Sequence, residues 1–306
     1  MRRSAEESFG ERVRAAVGSL GPLCAGIDPS RAVLDRFGLP DDAEGLVSFG
    51  ERCIEELHGV VGVVKPQVAF FERHGAAGLA AFERVVAVAR DAGMLVIADA
   101  KRGDIASSAE AYADAWFRGP LAADALTASP YVGVDALLPM VLAARATGRG
   151  LIVVVTSSNP EGREVQGAVL CDGSTVEQAI LGRIGQWNAE ELAAPAGPGR
   201  AGLGRAGPGR AGPGGAGPGP ALGSVGAVVG ATGGTPPQGL GELGGVVLAP
   251  GLGAQGATVS DVARRFSGCP PRSVLPAASR GLLSCGPEGL HAAAGRLRDE
   301  LAAVLP

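Results

Sequence analysis

Leu95-Val96-Ile97-Ala98-Asp99-Ala100-Lys101 is a run of apolar, partly β-branched residues that ends in charged ones. Such a run is typical of a strand buried on both faces, as the strands of a parallel sheet are. The chain holds seven further stretches of this kind. The eight predicted strands are residues 22–28, 60–66, 95–101, 125–129, 151–157, 225–232, 246–250 and 273–278.

Helical patterns lie between these strands. The predicted helices are residues 46–58, 77–92, 107–117, 135–147, 175–193, 258–266 and 288–304, and a weak helical pattern falls between 232 and 246. Eight such strand–helix units predict an α/β fold, a (β/α)8 TIM barrel. A doubly wound open sheet is the next alternative, but no G-x-G-x-x-G follows the first strand.

Composition narrows the class of protein. The chain has 306 residues and 46% hydrophobic residues, so it can bury a large core. Its formal charge is -4, so it has no excess of positive charge that would favour nucleic acid or an anionic membrane as a partner. Its longest aliphatic run is residues 151–155, far short of the roughly 20 residues of a membrane span. Residues 1–7 turn acidic where a signal peptide would be apolar, and five scattered cysteines show no C-x-x-C pair. We therefore expect a cytoplasmic protein.

One segment differs from the rest. Residues 195–220 contain five tandem pentapeptides such as AGPGR, with 11 Gly and 6 Pro among 26 residues. So little apolar surface cannot offset the entropy of ordering, which predicts a disordered insertion within a single domain of residues 1–306. It falls in the connection from the fifth helix to the sixth strand, and in a barrel such connections lie at the end away from the chemistry.

Polar residues recur where the predicted strands end, which is where a barrel enzyme carries its site. Asp99 and Lys101 lie two apart on one strand, so both side chains leave by the same face. By themselves they are equally consistent with an internal ion pair. Asp104 follows Gly103, and a helix N-cap is its structural alternative.

The lysine count favours a catalytic role. Lys65 and Lys101 are the only lysines of the chain, against 25 arginines, and both fall at the mouth of the predicted barrel. A lysine can donate a proton in catalysis, whereas an arginine scarcely does. We infer that these two amines are present because chemistry requires them.

A glycine-rich loop, residues 249–256, follows the seventh strand, and Arg280 follows the eighth. These two loops form the usual phosphate site of this fold, and a guanidinium can bind phosphate through two parallel hydrogen bonds. The three histidines, His58, His74 and His291, lie away from the strand ends, so we expect no required metal.

Taken together, these residues resemble the orotidine 5'-phosphate decarboxylase family, in its longer-chain second branch. The most diagnostic stretch is Asp99-Ala100-Lys101-Arg102-Gly103-Asp104-Ile105. Further matching stretches are residues 26–29, 64–72, 156–160, 249–256 and 279–280. The resemblance runs from about residue 21 to the C-terminus, except for the insertion.

The resemblance implies cofactor-free decarboxylation of orotidine 5'-phosphate to UMP and CO2, the last step of de novo UMP synthesis. It implies a homodimer whose Asp104 reaches across the interface into the neighbouring site. The implied catalytic residues are Lys65, Asp99, Lys101 and Asp104, and the implied substrate-binding residues are Asp28, Ile105, Ser108, Ser158, Gln255 and Arg280. Among these, Lys101 is the expected proton donor, and Asp99 is expected to destabilise the substrate carboxylate. Asp28 is assigned to ribose, Ser158 (or its neighbour Ser157) to the pyrimidine, and Gln255 with Arg280 to phosphate.

Two other functions stay open at this point. A sugar-phosphate lyase or synthase of the same barrel superfamily can use the D-x-K-x-x-D array, normally with Mg²⁺. A catalytically silent phosphate-binding scaffold, with the pentapeptides as its interaction arm, would bind a UMP analogue without turnover.

Overall fold

The computed structural model describes residues 7–194, 219–233 and 235–305. Eight parallel strands in this part of the chain close into a barrel in chain order, with β8 paired to β1. They are β1 (Cys24–Ile27), β2 (Val63–Pro66), β3 (Leu95–Arg102), β4 (Ala125–Ala128), β5 (Gly150–Thr156), β6 (Val225–Val229), β7 (Val247–Pro250) and β8 (Val274–Ala278). Each overlaps one predicted strand, so the (β/α)8 barrel is confirmed.

The helices surround this barrel. They are α1 (Phe9–Leu20), α2 (Arg31–Arg36), α3 (Ala43–Leu57), α4 (Ala69–Glu72), α5 (Gly75–Asp91), α6 (Ala106–Phe117), α7 (Leu138–Ala146), α8 (Arg163–Gln166), α9 (Val176–Ala193), α10 (Val259–Arg265), α11 (Arg280–Leu283) and α12 (Gly286–Ala302). The seven predicted helices correspond to α3, α5, α6, α7, α9, α10 and α12. Among the described residues between 232 and 246, the weak pattern yields a 3-10 turn, Leu240–Glu242.

Five helices of the described part of the chain were not predicted. Four of them, α2, α4, α8 and α11, span six residues or fewer, too short to show a helical period. The fifth, α1, closes the amino-terminal end of the barrel: its Phe9, Val13 and Val17 belong to the apolar cluster inside the strands. The Phe9 ring occupies the space that a side chain at Gly150 would need. Because α1 covers the amino-terminal end, the open end of the barrel lies at the carboxyl ends of the strands.

Most of the pentapeptide insertion, residues 195–218, lies outside the described residues, so its predicted disorder stays a prediction. The chain returns at Gly219 and Pro220, whose carbonyls accept hydrogen bonds from Arg14 of α1 at 2.6 and 2.9 Å. Leu222 N–H then donates to the carboxylate of Glu11 at 2.7 Å. The return point is therefore tied to the helix that closes the barrel opposite its mouth. Within the described ranges, no helix has the length and apolar character to cross a lipid bilayer.

Candidate active site

A cavity of about 300 Å³ opens at the carboxyl ends of the strands. Seven of the ten predicted site residues line it: Asp28, Lys65, Asp99, Lys101, Ser158, Gln255 and Arg280. These residues come from β1, β2, β3, β5, β7 and β8 or from the loops that follow them. Closure of the barrel brings them together although they span most of the sequence. The other three predicted residues, Asp104, Ile105 and Ser108, lie outside the cavity lining of the single chain.

Asp99 is the centre of the site, because both lysines bind its carboxylate. Lys65 Nζ lies 2.8 Å from Asp99 Oδ2, and Lys101 Nζ lies 2.5 Å from Asp99 Oδ1. Lys65 and Asp99 are buried, whereas about half of the Lys101 side chain is exposed. Both lysines thus line the cavity, one with a buried side chain and the other with a half-exposed one.

Two residues that sequence reasoning left without a role complete the bonding of Asp99. The Thr127 hydroxyl on β4 donates to Oδ1 at 3.0 Å, and the Gln67 amide donates to Oδ2 at 3.2 Å. Four donors therefore surround a buried carboxylate, which compensates for the loss of its hydration. Gln67 stands within the family-like stretch 64–72, but nothing in the sequence pointed to Thr127.

The electrostatics fix the charge state of the buried pair. Burial alone would raise the pKa of Asp99, but the charges of Lys65 and Lys101 and their hydrogen bonds outweigh it and hold the pKa well below its usual range. Burial would likewise lower the pKa of Lys65, but the nearby charges of Asp99 and Asp28 and the hydrogen bond to Asp99 raise it above its ordinary value. At neutral pH Asp99 is thus an anion and Lys65 a cation.

The backbone at Lys101 differs from a regular strand. Its φ is 48°, in the left-handed region that non-glycine residues rarely adopt, and the β3–β4 register shifts between Ala98 and Arg102. The Lys101 N–H donates to the same Thr127 hydroxyl at 2.9 Å. The alternation of side chains along a strand predicted that Asp99 and Lys101 leave by the same face. Their side chains do form an ion pair, but the Lys101 backbone is left-handed and not extended. Strained residues of this kind concentrate at functional sites.

Asp28 is positioned to receive a ligand. It follows β1 and lines the cavity, and its Oδ1 atom is buried without a hydrogen-bond partner among the described residues. An unsatisfied carboxylate oxygen is costly, so a hydroxyl of a bound molecule would improve its environment. This arrangement fits the predicted contact to a sugar.

Ser157 and Ser158 both line the cavity, but their surroundings differ. The side-chain carbonyl of Gln166 accepts from Ser157 N–H at 3.0 Å, and the Gln166 amide donates to the Ser157 hydroxyl at 3.0 Å. Ser157 is therefore held by α8. The Ser158 side chain instead lies near Gly251 of the loop after β7. This geometry favours Ser158 as the residue that offers its hydroxyl to a ligand.

The rim between β7 and β8 carries the predicted phosphate residues. Gly251 has a φ of 115°, and the Gln255 side chain folds back so that its Oε1 lies 3.3 Å from the position of a Cβ at Gly251. A side chain at Gly251 would therefore be strained and would crowd Gln255. Arg280 begins α11 and is exposed at the same rim. A cation and an amide, from the segments that follow two neighbouring strands, thus both line the cavity.

The segment that carries Asp104, Ile105 and Ser108 begins α6 and faces outward. Among the described residues, the Asp104 carboxylate accepts one hydrogen bond, from the N–H of the next residue, Ile105, at 2.8 Å. The Ile105 side chain is 58% exposed. Within the described ranges, no group of three or more histidine, cysteine or acidic side chains is placed to hold a metal ion.

These features define a (β/α)8-barrel enzyme with a lysine–aspartate–lysine array at its mouth. A sequence model of the orotidine 5'-phosphate decarboxylase / HUMPS family matches residues 21–284, so the chain belongs to this family. It is 45% identical over 303 residues to the orotidine 5'-phosphate decarboxylase of Salinispora tropica, covering 98% of this chain and 99% of that protein.

Solved structures agree with the sequence comparison. The Streptomyces avermitilis structure, described as an orotidine 5'-phosphate decarboxylase, has a TM-score of 0.82 and 43% identity, with 97% of this chain and 96% of that chain covered. The Leishmania donovani OMP decarboxylase structure has a TM-score of 0.71 and 28% identity, with coverage of 97% and 98%. The family resemblance found in the sequence is thereby confirmed.

Proposed function

We propose that this chain is a carboxy-lyase that converts orotidine 5'-phosphate to UMP and CO2 without a cofactor, in pyrimidine biosynthesis. Family membership and relatives of that name over nearly the whole chain support it. The single observation that carries the chemistry is the buried Asp99 carboxylate held between two lysine ammonium groups at the cavity floor. The cytoplasmic location expected from the sequence stays a prediction.

In the proposed reaction the C6–carboxylate bond breaks, CO2 leaves, and the electron pair stays on C6 of the pyrimidine. Asp99 faces the substrate carboxylate, so repulsion between the two anions is relieved as CO2 departs. At about 4 Å and an effective dielectric near 20, this repulsion amounts to about 4 kcal/mol. The largest enzymatic rate enhancements need about 20 kcal/mol or more, so repulsion supplies only a minor share.

The larger share comes from Lys101. Its ammonium, held at 2.5 Å from Asp99 and reaching into the open cavity, is preorganised beside the negative charge that develops on C6. The same group then donates its proton to C6, which gives UMP and a neutral amine that water reprotonates. Lys65 keeps Asp99 ionised and fixed throughout.

Binding at the far rim supports this chemistry. Gln255 and Arg280 hold the phosphate, Asp28 accepts from the ribose, and Ser158 contacts the pyrimidine. Because the phosphate is remote from the bond that breaks, its binding energy can hold substrate and array in their strained arrangement.

The working enzyme is a homodimer in which Asp104 enters the site of the partner. Two observations support this proposal. The Ile105 and Tyr131 side chains are 58% and 84% exposed. A hydrogen bond from Ser129 N–H to Arg102 O, at 2.8 Å, joins the two loops that carry them. Apolar side chains exposed together on one loop pair are typical of an interface. Asp104, Ile105 and Ser108 then complete the site from across the dimer.

The direct test is the ultraviolet absorbance of orotidine 5'-phosphate incubated with the purified protein in excess EDTA. We expect loss of substrate absorbance and formation of UMP at an undiminished rate. Complete loss of turnover in EDTA would instead favour the Mg²⁺-dependent sugar-phosphate enzyme, and binding of a UMP analogue without turnover would favour the scaffold.

The dimer is tested by mixing two inactive variants, Lys101→Ala and Asp104→Ala. If Asp104 acts in the partner's site, each mixed dimer has one intact site, so random exchange restores about a quarter of wild-type activity. No recovery after subunit exchange would show that Asp104 acts within its own chain, and full activity of Asp104→Ala by itself would show that Asp104 has no role.

A further inference from the structure

Arg102, the residue after Lys101, has no place in the chemistry above, yet it is extensively bound. Its guanidinium pairs with the Glu72 carboxylate of α4 and donates to Ala100 O at 3.1 Å. The same group stacks over the rings of Tyr112 and Trp116 on α6, at 6.0 and 5.6 Å from their centroids. Neither Arg102 nor Glu72 lines the cavity.

This anchoring bears on the strained backbone of Lys101. A left-handed residue that is not glycine persists only where its surroundings hold it there. The Lys101 N–H donates to the Thr127 hydroxyl. The next residue, Arg102, is fixed by Glu72 and by the aromatic rings, and Arg102 O accepts from Ser129 N–H. Lys101 thus lies between two fixed points.

The ion pair also joins the segments that carry the two lysines. Glu72 ends α4, which begins soon after Lys65 and Gln67 at the end of β2. Between these segments, Val68 N–H donates to Asp99 O at 3.2 Å. The Glu72–Arg102 pair therefore fastens the β2 segment to the β3 segment just outside the charged array.

We propose that Glu72 and Arg102 are positioning residues that hold Lys101 in its left-handed conformation, with its ammonium against Asp99. The inference rests on the proposed function, because it assigns the pair a role in decarboxylation. The pair acts only through Lys101 and touches no substrate.

The kinetic test uses Arg102→Met, Glu72→Gln and the double variant. A displacement of about 1 Å at a reacting group can cost on the order of 100-fold in rate, so we expect kcat to fall by about 10- to 100-fold. The KM for orotidine 5'-phosphate should stay within about twofold, because the binding residues are untouched. The double variant should lose little more than Arg102→Met alone, since Arg102→Met already removes the ion pair that Glu72→Gln weakens.

Arg84 and Glu51 provide the matched control, since they form an exposed ion pair on α5 and α3, away from the cavity. Arg84→Met and Glu51→Gln should leave kcat unchanged. Wild-type kcat in both Arg102→Met and Glu72→Gln would overturn the inference. So would a rise in KM that matches the loss of kcat, or equal losses in the control pair.

A second readout does not depend on turnover. Since the chain has only two lysines, selective ¹⁵N-lysine labelling gives two backbone amide signals, and Lys101→Arg assigns them by removing one. In Glu72→Gln, a conservative change, we expect the Lys101 amide to shift and to exchange faster while the Lys65 amide stays. Unchanged Lys101 exchange would overturn the proposal. An inactive wild-type protein would refute the proposed function alone and leave this spectrum to decide the positioning role.

Discussion

Lys101 Nζ lies 2.5 Å from Asp99 Oδ1 although the Lys101 backbone has left the regular strand, with a φ of 48°. The contact therefore depends on a local distortion, which costs free energy that the surrounding contacts must offset. About half of the Lys101 side chain is exposed, and it lines the cavity where a bound molecule can reach it.

Replacing Lys101 by alanine should abolish decarboxylation. General acid catalysis alone contributes about 10²- to 10⁴-fold, and the electrostatic stabilisation of C6 is lost as well, so we expect a fall of at least about 10³-fold. The measurement is the absorbance assay, with circular dichroism to verify the fold. Near-normal turnover in this variant would remove the assignment of Lys101.

The pH dependence of stability should reveal Asp99. Because its pKa is lower in the folded protein than in the unfolded chain, ionised Asp99 stabilises the fold above its unfolded pKa, about 3.9. That contribution is lost as pH falls from about 5 through the folded pKa, by up to about 1.4 kcal/mol per pH unit. We expect the unfolding free energy from urea titrations at pH 5.5 to 3.5 to fall more steeply in wild type than in Asp99→Asn. Equal slopes would contradict the ionised, paired state.

The two adjacent serines should differ in kinetics. Since the Ser157 hydroxyl is already bound by Gln166, Ser158 is the residue expected to contact the pyrimidine. Loss of one hydrogen bond costs about 1 to 1.5 kcal/mol, so Ser158→Ala should lower kcat/KM by about tenfold. Ser157→Ala should lower it by less, and the reverse order would assign the contact to Ser157.

Arg280 should act on the phosphate alone. A guanidinium–phosphate contact contributes about 1.5 to 3 kcal/mol, so Arg280→Met should weaken UMP binding by about 10- to 100-fold. Binding of uridine, which lacks the phosphate, should not change. Calorimetric titration with both ligands measures this, and an equal loss for uridine would place Arg280 elsewhere in the site.

The pentapeptide insertion should be dispensable for catalysis. Removal of residues 195–218, bridged by a short Gly/Ser link, keeps Gly219 and Pro220 on Arg14, at the barrel end opposite the mouth. We expect kcat within about twofold of wild type, because the return point lies away from the cavity and the entropy of closing a loop depends only weakly on its length. A large drop in kcat with a native circular dichroism spectrum would show that the insertion takes part in function.

Residue order alone was enough to predict the barrel. Apolar runs such as residues 151–155 specify strands by their own composition, and their alternation with helices leaves few other topologies. The two lysines stood out because arginine fills the other cationic positions. The short helices α4 and α8 escaped prediction, although they carry Glu72 and Gln166, because four residues show no period.

Sequence by itself therefore determined the strand order, the family and seven of the residues that line the cavity. Only the tertiary structure decided how Asp99 is bound, since Thr127 and Gln67 reach it through closure of the sheet. It also decided the left-handed turn at Lys101 and the pairing of Glu72 with Arg102. The physical reason is the separation of these residues along the chain. Sequence patterns report the conformational preferences of neighbouring residues, whereas these contacts join residues about 30 positions apart, which only tertiary packing brings together.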